Sequence, residues 1–142
     1  MTRSVILLLL TLCALRADDA VAVLKNLKNG VEIHRGDLLL TAPASGEKLY
    51  SGDILFTGSD GALSVIFNDG SIVSLGNKSI LKIDDYLFVP CEKRYRFDLF
   101  LKKGNAVFET GKIGKAAPEA VTFRVPEGTI GVRGTKFFVE VP

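Results

Sequence analysis

Turn residues divide the stretch from Lys48 to Ile83 into short apolar segments. The turns include Asp60-Gly61 and Asn68-Asp69-Gly70, each placed between β-branched or aromatic runs. A tight turn between strands needs positive φ at its centre, which Gly, Asn and Asp adopt at low cost. The segments between the turns are Ile54 to Thr57, Ala62 to Phe67, Ile72 to Leu75 and Ile80 to Ile83. The pattern predicts four consecutive strands with no helix between them.

Alternation within the segments indicates which side chains share a face of a strand. Leu63, Val65 and Phe67 recur at a period of two and are predicted to share one face, and so are Leu81 and Ile83, with Lys82 pointing away. The segment from Arg94 to Leu101 alternates in the same way. Its predicted inner face carries Tyr95, Phe97, Leu99 and Leu101, and its outer face carries Arg94, Arg96, Asp98 and Phe100.

Turn residues also divide the rest of the chain. Lys28-Asn29-Gly30 predicts a first hairpin within Val21 to Leu40, and Lys102 to Asn105 predicts another turn. The aperiodic segment from Gly111 to Glu119 predicts a flexible loop. Together these features predict an all-β fold of about a dozen short, mostly antiparallel strands in a compact two-layer arrangement.

The first seventeen residues are predicted to be a secretory signal peptide, with the β domain spanning residues 18–142. Arg3 gives the N-terminal region a positive charge, and Val5 to Leu12 form the apolar region that follows it. Ala17 is the small residue expected just before the cleavage position. The apolar run is shorter than the ~20 residues that a membrane span needs, so no stable span is expected after cleavage. Lipidation at Cys13 is a weaker alternative, because Leu10-Thr11-Leu12 lacks the small residue expected just before it.

Charge and composition argue against several functions. Cleavage after residue 17 would remove Arg3 and Arg16 and no acid, leaving 16 basic and 16 acidic residues, without the clustered positive field that nucleic-acid binding requires. His34 is the single histidine, too few for a zinc site, and no catalytic triad assembles around it. Asn68-Asp69-Gly70 lacks the upstream carboxylates of a calcium loop. A non-enzymatic protein without metal or cofactor is therefore expected. Cys91 follows Pro90 in a predicted turn, and an intermolecular disulfide there is left open.

The C-terminal run contains two glycines that suggest special backbone geometry. Gly131 within a β-rich run suggests a bulge or a close approach of backbone, and Gly134-Thr135 suggests a sharp turn before Phe137. If Gly134 has positive φ, Gly134→Val should destabilise the domain by more than the ~1 kcal/mol typical of a point change. An unfolding curve that overlays the wild type would rule this out.

Several short motifs, in this order, resemble the ferric-citrate regulator (FecR) domain family over about Val21 to Val141. They are Gly52-Asp53, Thr57-Gly58, Asp69-Gly70-Ser71, Leu101-x-x-Gly104-x-Ala106-Val107 and Val132-Arg133-Gly134-Thr135-x-Phe137. The resemblance implies a non-enzymatic β domain, with solenoid-like coiling as one form. It also implies a signal relay across the periplasm, from the signalling domain of a TonB-dependent outer-membrane receptor to a cytoplasmic sigma factor.

The expected function is a periplasmic protein-interaction module of a Gram-negative envelope. Because the sequence starts with a signal peptide and stops at Pro142, the β domain is expected to be exported alone, and direct control of a sigma factor is not expected. The expected partner is an envelope protein, either a TonB-dependent receptor's signalling domain or another protein. The alternative is a module that binds glycan or cell wall, which would need exposed aromatics among Tyr50, Tyr86 and Tyr95, since the chain has no Trp.

The expected partner surface comprises Arg94, Arg96 and Phe100, because Arg and aromatic residues are enriched in interfaces. The competing interpretation is a solvated edge whose arginines prevent pairing with other molecules.

Overall fold

Segments of alternating apolar and polar residues form the strands of this structure, a computed structural model that describes residues 19–132 and 136–142. Within these ranges there are twelve strands. They are β1 (Ala22–Lys28), β2 (Val31–Arg35), β3 (Leu38–Thr41), β4 (Lys48–Leu49), β5 (Ile54–Thr57), β6 (Ala62–Phe67), β7 (Ile72–Leu75), β8 (Ile80–Val89), β9 (Arg94–Glu109), β10 (Val121–Val125), β11 (Gly128–Gly131) and β12 (Lys136–Val141). A short helix, α1 (Lys112–Ala116), and 3-10 turns at Pro90–Glu92 and Pro118–Ala120 accompany them. The predicted all-β class is confirmed.

The strands form one sheet that curls into a half barrel and can be described as two parts sharing β9. Sheet A contains β4, β1, β6 and β7, followed by the end of β9 and then β12. Sheet B contains β3, β2, β5 and β8, followed by the start of β9, then β10 and β11. Among the described strands, the pair of β9 with β10 is parallel and the other pairs are antiparallel. The predicted dominance of antiparallel pairing is confirmed.

The inner faces of the two sheets pack against each other through aromatic rings. The Phe67 ring in sheet A lies 4.6 Å from Phe97 and 5.2 Å from Tyr86 in sheet B, measured between centroids. The Phe108 ring lies 5.6 Å from Phe97 and 6.0 Å from Phe123. Burying each such side chain contributes about 1.5–3 kcal/mol, so these rings are a main source of stability.

The predicted alternation is confirmed. The residues predicted to share a face in β6 and in β8 are buried, as are three of the four on the predicted inner face of β9, while Tyr95 is half-buried against the same core. The buried set from these strands is Leu63, Val65, Phe67, Leu81, Ile83, Phe97, Leu99 and Leu101.

The turn predicted at Lys102 to Asn105 is wrong, because β9 continues through it. Residues 94–103 of β9 pair with β8 in sheet B, whereas residues 104–109 pair with β12 in sheet A. Gly104 lies at the junction with φ of +97°. A glycine with positive φ kinks the strand from one sheet into the other instead of reversing the chain.

The prediction of a first hairpin at Asn29-Gly30 is also wrong, although hairpins at two other predicted turns are confirmed. β6 pairs with β7 around Asn68–Ser71, and β8 pairs with β9 around the Pro90 turn. By contrast, β1 pairs with β4 and β6, and β2 pairs with β3 and β5. At Asn29-Gly30 the chain therefore crosses between sheets. The Gly30 carbonyl accepts a 2.8 Å hydrogen bond from the Gly58 N–H at the crossing between β5 and β6.

Asp84 and Asp85 lie inside one strand rather than between two. The segment predicted from Ile80 to Ile83 continues through them to Val89 in the ten-residue β8, whose register with β9 shifts between Ile83 and Asp85. This irregularity absorbs one acidic residue while the ladder continues on both sides. Both carboxylates pair with arginines, Asp84 with Arg124 and Asp85 with Arg96.

The segment after β9 is ordered and is not the flexible loop predicted from its lack of period. It contains α1 and the 3-10 turn Pro118–Ala120, and the Ile113 side chain is fully buried. Its backbone is bonded to the turn between β6 and β7, because Lys112 N donates to the Asp69 carbonyl at 2.9 Å. A tertiary contact therefore holds a segment whose local sequence shows no strong preference.

Some predictions fall outside the described residues. These are the signal peptide at residues 1–17, lipidation at Cys13, and the turn at Gly134 and Thr135. Within the described part of the chain, no helix has the length and apolar character that a bilayer crossing requires.

Candidate functional site

Asp53, one of the motif residues, is a buried anchor for the turn before β5. Its carboxylate accepts 2.9 Å hydrogen bonds from Arg35 Nε and Nη2 and from Tyr50 N. The hydrogen bond to Asp53 raises the pKa of the Arg35 guanidinium. The guanidinium also lies 4.7 Å from the centroid of the Tyr50 ring. Gly52, with φ of +94°, allows the turn that brings Asp53 inward.

Asp69 is a second buried anchor, in the turn between β6 and β7. Its Oδ1 accepts hydrogen bonds from Ser71 N at 3.1 Å and the Tyr86 hydroxyl at 3.0 Å. Its Oδ2 accepts from Ser71 Oγ at 2.8 Å and Ile113 N at 3.0 Å. Gly70, with φ of +88°, allows the turn to close. Asp69 therefore joins β6, β8 and α1.

These buried polar groups form a satisfied structural network. In the described ranges, no buried side-chain nitrogen or oxygen lacks a hydrogen-bond partner. No group of three or more His, Cys, Asp or Glu residues there is arranged to hold a metal ion. The His34 side chain lies on the outer face of sheet B, with its Nε2 3.3 Å from Glu32 Oε2 and its ring tilted by 36° against the Phe56 ring. Because every buried side-chain nitrogen and oxygen of the described residues is already paired, a functional site is expected on the outer surface.

The outer face of sheet B carries an apolar hollow of ≈170 Å³. It is lined by the outward side chains of β5, β8 and β9: Ile54, Phe56, Ile80, Lys82, Phe100 and Lys102. The pairing register brings them together, since Phe56 lies opposite Ile80 and Lys82 lies opposite Phe100. These six side chains define the hollow, which has a continuous apolar floor with lysines at its edge.

Neighbouring side chains hold both aromatic rings of the hollow. The His34 ring lies 4.2 Å from the Phe56 ring, measured between centroids. The Arg124 guanidinium lies 5.4 Å from the Phe100 centroid and is itself bonded to Asp84 and to Asp98, the latter at 3.2 Å. The hydrogen bond to Asp98 raises the pKa of Arg124, so this cation stays charged beside the ring. The two rings are therefore ordered before anything binds.

The two lysines of the hollow differ in their ion pairs. Lys82 Nζ lies 3.5 Å from Asp84 Oδ1, and Asp84 also pairs with Arg124. Lys102 makes no ion pair within the described residues, and its neighbour Lys103 makes none there either. The hollow therefore has one lysine, Lys102, that no carboxylate of the described residues pairs with.

The predicted partner surface is divided between two places. Phe100 lines the hollow, whereas Arg94 and Arg96 lie towards the hairpin end of β9. Arg94 pairs with Glu92 at 3.3 Å, and Arg96 Nε lies 2.9 Å from Asp85. All three face outwards on the strand, as predicted, and their part in a partner surface stays a prediction.

Sequence reasoning missed Ile54, Phe56 and Ile80 as site residues. The available signal was that these segments place apolar side chains on both alternating faces, so one apolar set had to lie outside the core. Gly131 ends β11, and apart from its chain neighbours no heavy atom of the described residues lies within 4 Å of the position a Cβ would take. The bulge or close backbone approach suggested there stays a prediction.

The tyrosines considered for glycan binding are engaged elsewhere. Tyr86 is buried and bonded to Asp69. Tyr50 lies under Arg35, and the Tyr95 ring stacks 6.1 Å from Phe88. None of them forms an exposed aromatic platform on the outer face of sheet B.

A family model described as FecR protein matches residues 53–141. This range covers more than half of the chain and includes every residue of the hollow. Searches of curated proteins and of solved structures gave no significant match.

Proposed function

Because this chain belongs to the FecR protein family, we propose that it is a non-enzymatic protein-interaction module of the Gram-negative cell envelope. Its role is to bind another envelope protein, such as the signalling domain of a TonB-dependent receptor, and so to take part in signal relay. Export to the periplasm is supported by Arg3, the apolar run from Val5 to Leu12, and Ala17.

The hollow is the observation that carries this proposal. Protein interfaces combine an apolar, often aromatic centre with a polar rim, and their strongest contacts are side chains set in pockets. Ile54, Phe56, Ile80 and Phe100 provide such a centre, and the lysines provide the rim. Glycan binding receives less support, because Tyr86 is buried and the other two tyrosines are half-buried and packed on Arg35 and Phe88.

Site-specific photo-crosslinking in intact cells tests the proposal. A photoreactive phenylalanine analogue replaces Phe56 in one variant and Phe138, an exposed residue on sheet A, in another. We expect the analogue at position 56 to give a discrete adduct with one envelope protein, identified by mass spectrometry, and position 138 not to give it. Absence of any adduct from position 56, or the same products from both positions, would contradict the proposed role.

The hairpin end of β9 is tested separately by the double change Arg94→Ala and Arg96→Ala. If this end belongs to the interface, the yield of the position-56 adduct should fall while stability stays within ~1 kcal/mol of wild type. Unchanged yield in a folded double mutant would restrict the interface to the hollow.

Export is tested by N-terminal sequencing of the native protein. We expect the mature chain to begin near Asp18 because a small residue, Ala17, precedes it. An intact Met1, or a lipid attached to Cys13, would contradict cleavage at this position.

A further inference from the structure

We propose that the hollow binds a partner segment in which one apolar side chain is flanked by carboxylates. This inference rests on the proposed function and adds the chemistry of the partner.

The size of the hollow fits a single apolar side chain. Its volume is ≈170 Å³, and a cavity of about 150 Å³ holds a group the size of benzene. It is open to solvent on the outer face of a sheet, so a side chain can enter from a partner lying across the strands. A leucine or phenylalanine side chain is apolar and small enough to fill this volume from the open side.

The rigidity of the hollow favours binding. His34 packs on Phe56, and Arg124 packs on Phe100 while bonded to two carboxylates. The remaining apolar residues, Ile54 and Ile80, are β-branched and therefore restricted at χ1. Little side-chain freedom is lost when such a surface is covered, and this reduces the entropic penalty of association.

The charge at the edge of the hollow selects the partner. Lys102 has no carboxylate within ion-pair distance in the described residues, and Lys82 shares Asp84 with Arg124. A partner with carboxylates beside its apolar side chain would complement these cations, whereas a basic partner would be repelled. Charge complementarity therefore favours an acidic segment.

Titrations of the isotope-labelled protein with three synthetic pentapeptides, followed by NMR, test the inference. The first has phenylalanine at its centre and two acidic residues on each side. The second replaces the acids by lysines, and the third keeps the acids but replaces the phenylalanine by serine. We expect saturable shifts of the amides of Ile54, Phe56, Ile80 and Phe100 with the first peptide alone, weakening as salt is added.

Matched variants separate the contribution of charge to binding from the contribution of apolar contact. Lys102→Glu should weaken binding of the first peptide at least about fivefold, because an attraction becomes a repulsion. Lys25→Glu makes the same charge change at an exposed site on sheet A and should leave binding unchanged. Phe100→Ala should abolish saturable binding, whereas Phe138→Ala should not.

Three results would each overturn the inference. The first peptide could give no saturable shift, or the lysine peptide could bind as tightly as the first peptide. The third such result is that Lys102→Glu and Lys25→Glu weaken binding of the first peptide equally. Vesicles of anionic lipid that shift the same amides as strongly as the peptide would also overturn it, in favour of a membrane surface. An adduct from position 56 alongside failed peptide binding would retain the proposed function and reject only the acidic chemistry.

Discussion

Asp69 shows how a single turn residue organises distant parts of the chain. Its two carboxylate oxygens accept four hydrogen bonds, from two groups of Ser71, from Tyr86 and from Ile113. A buried carboxylate without partners would be strongly unfavourable, so these donors are what permit it to be buried. The motif Asp69-Gly70-Ser71 therefore stabilises three elements at once.

Asp69→Asn should destabilise the protein by about 2–3 kcal/mol. The amide nitrogen of asparagine cannot accept hydrogen bonds, so either the Oδ1 donors or the Oδ2 donors lose their acceptor. Asp60→Asn is the matched control, because Asp60 is an exposed turn residue, and it should stay within about 0.5 kcal/mol of wild type. Urea unfolding measures both changes, and equal midpoints for the two variants would refute the anchoring role.

Tyr86 should make stability fall at alkaline pH. Burial raises the pKa of its hydroxyl well above the ordinary range, and the neighbouring Asp69 carboxylate adds to this. An unfolded tyrosine titrates near about pH 10, so above that pH the unfolded state has lost a proton that the folded state keeps. The unfolded state is then favoured, and the free energy of unfolding decreases as pH rises above about 10.

Tyr86→Phe should remove this dependence. At neutral pH it should lower the free energy of unfolding by about 1–3 kcal/mol, because Asp69 loses the hydroxyl. Between about pH 9.5 and 11.5 its stability should fall less steeply than that of the wild type. Tyr95→Phe is the control for the neutral-pH loss. Parallel pH profiles for wild type and Tyr86→Phe would show that burial does not hold the proton on Tyr86.

At the scale of elements, the kink in β9 depends on Gly104. Its φ is +97°, and an added Cβ would lie 2.1 Å from Ser79 Oγ and 2.4 Å from Ser79 Cα. Gly46 has a similar φ of +92°, yet apart from its chain neighbours no heavy atom of the described residues lies within 4 Å of its Cβ position. The two glycines therefore share the backbone strain of a substitution and differ in the space available.

Gly104→Ala should consequently destabilise the protein more than Gly46→Ala. Positive φ alone costs an L-residue about 1–2 kcal/mol, and overpacking against backbone adds roughly 1–3 kcal/mol at Gly104. Thermal or denaturant unfolding of the two variants measures the difference. Equal losses would mean that the contact of Gly104 with Ser79 is relaxed at no cost.

The sequence is informative about strands and less so about how they connect. Alternation identified the buried faces of β6, β8 and β9, because side-chain direction in a strand depends only on position along it. A glycine turn does not reveal whether the next strand pairs with the previous one or crosses to another sheet, as Gly30 and Gly104 both show. The five-residue α1 is too short to show a helical period, and its hydrogen bonds to Asp69 are tertiary.

The candidate site could likewise be predicted only in part from the sequence. Phe100 was identified from one strand alone, because its outward direction and residue type were both visible there. The hollow needs Ile54 and Phe56 from β5 and Ile80 from β8 to be placed beside Phe100. That arrangement depends on the pairing of β5, β8 and β9, which local patterns do not specify.

For the whole molecule, the matched family range is smaller than the folded unit. The match begins at Asp53, after β4. Nevertheless β1 lies between β4 and β6 in sheet A, and β2 lies between β3 and β5 in sheet B. Leu24, Ile33 and Leu49, all before the matched range, are fully buried.

A fragment of residues 53–141 should therefore fail to fold cooperatively, since the core would lose these side chains and two sheets would lose their neighbouring strands. Residues 19–142 provide the control and should give a single sigmoidal unfolding transition by circular dichroism. A sigmoidal transition of comparable midpoint for the fragment would show that β1 to β4 are dispensable for folding.

The shared strand β9 also affects how the folded state opens. Residues 94–103 hold sheet B together, and residues 104–109 of the same strand hold sheet A. Neither sheet can release β9 without straining the other, so partial opening of one sheet is suppressed. The slowest-exchanging amide protons in both sheets should therefore report one common free energy, that of global unfolding.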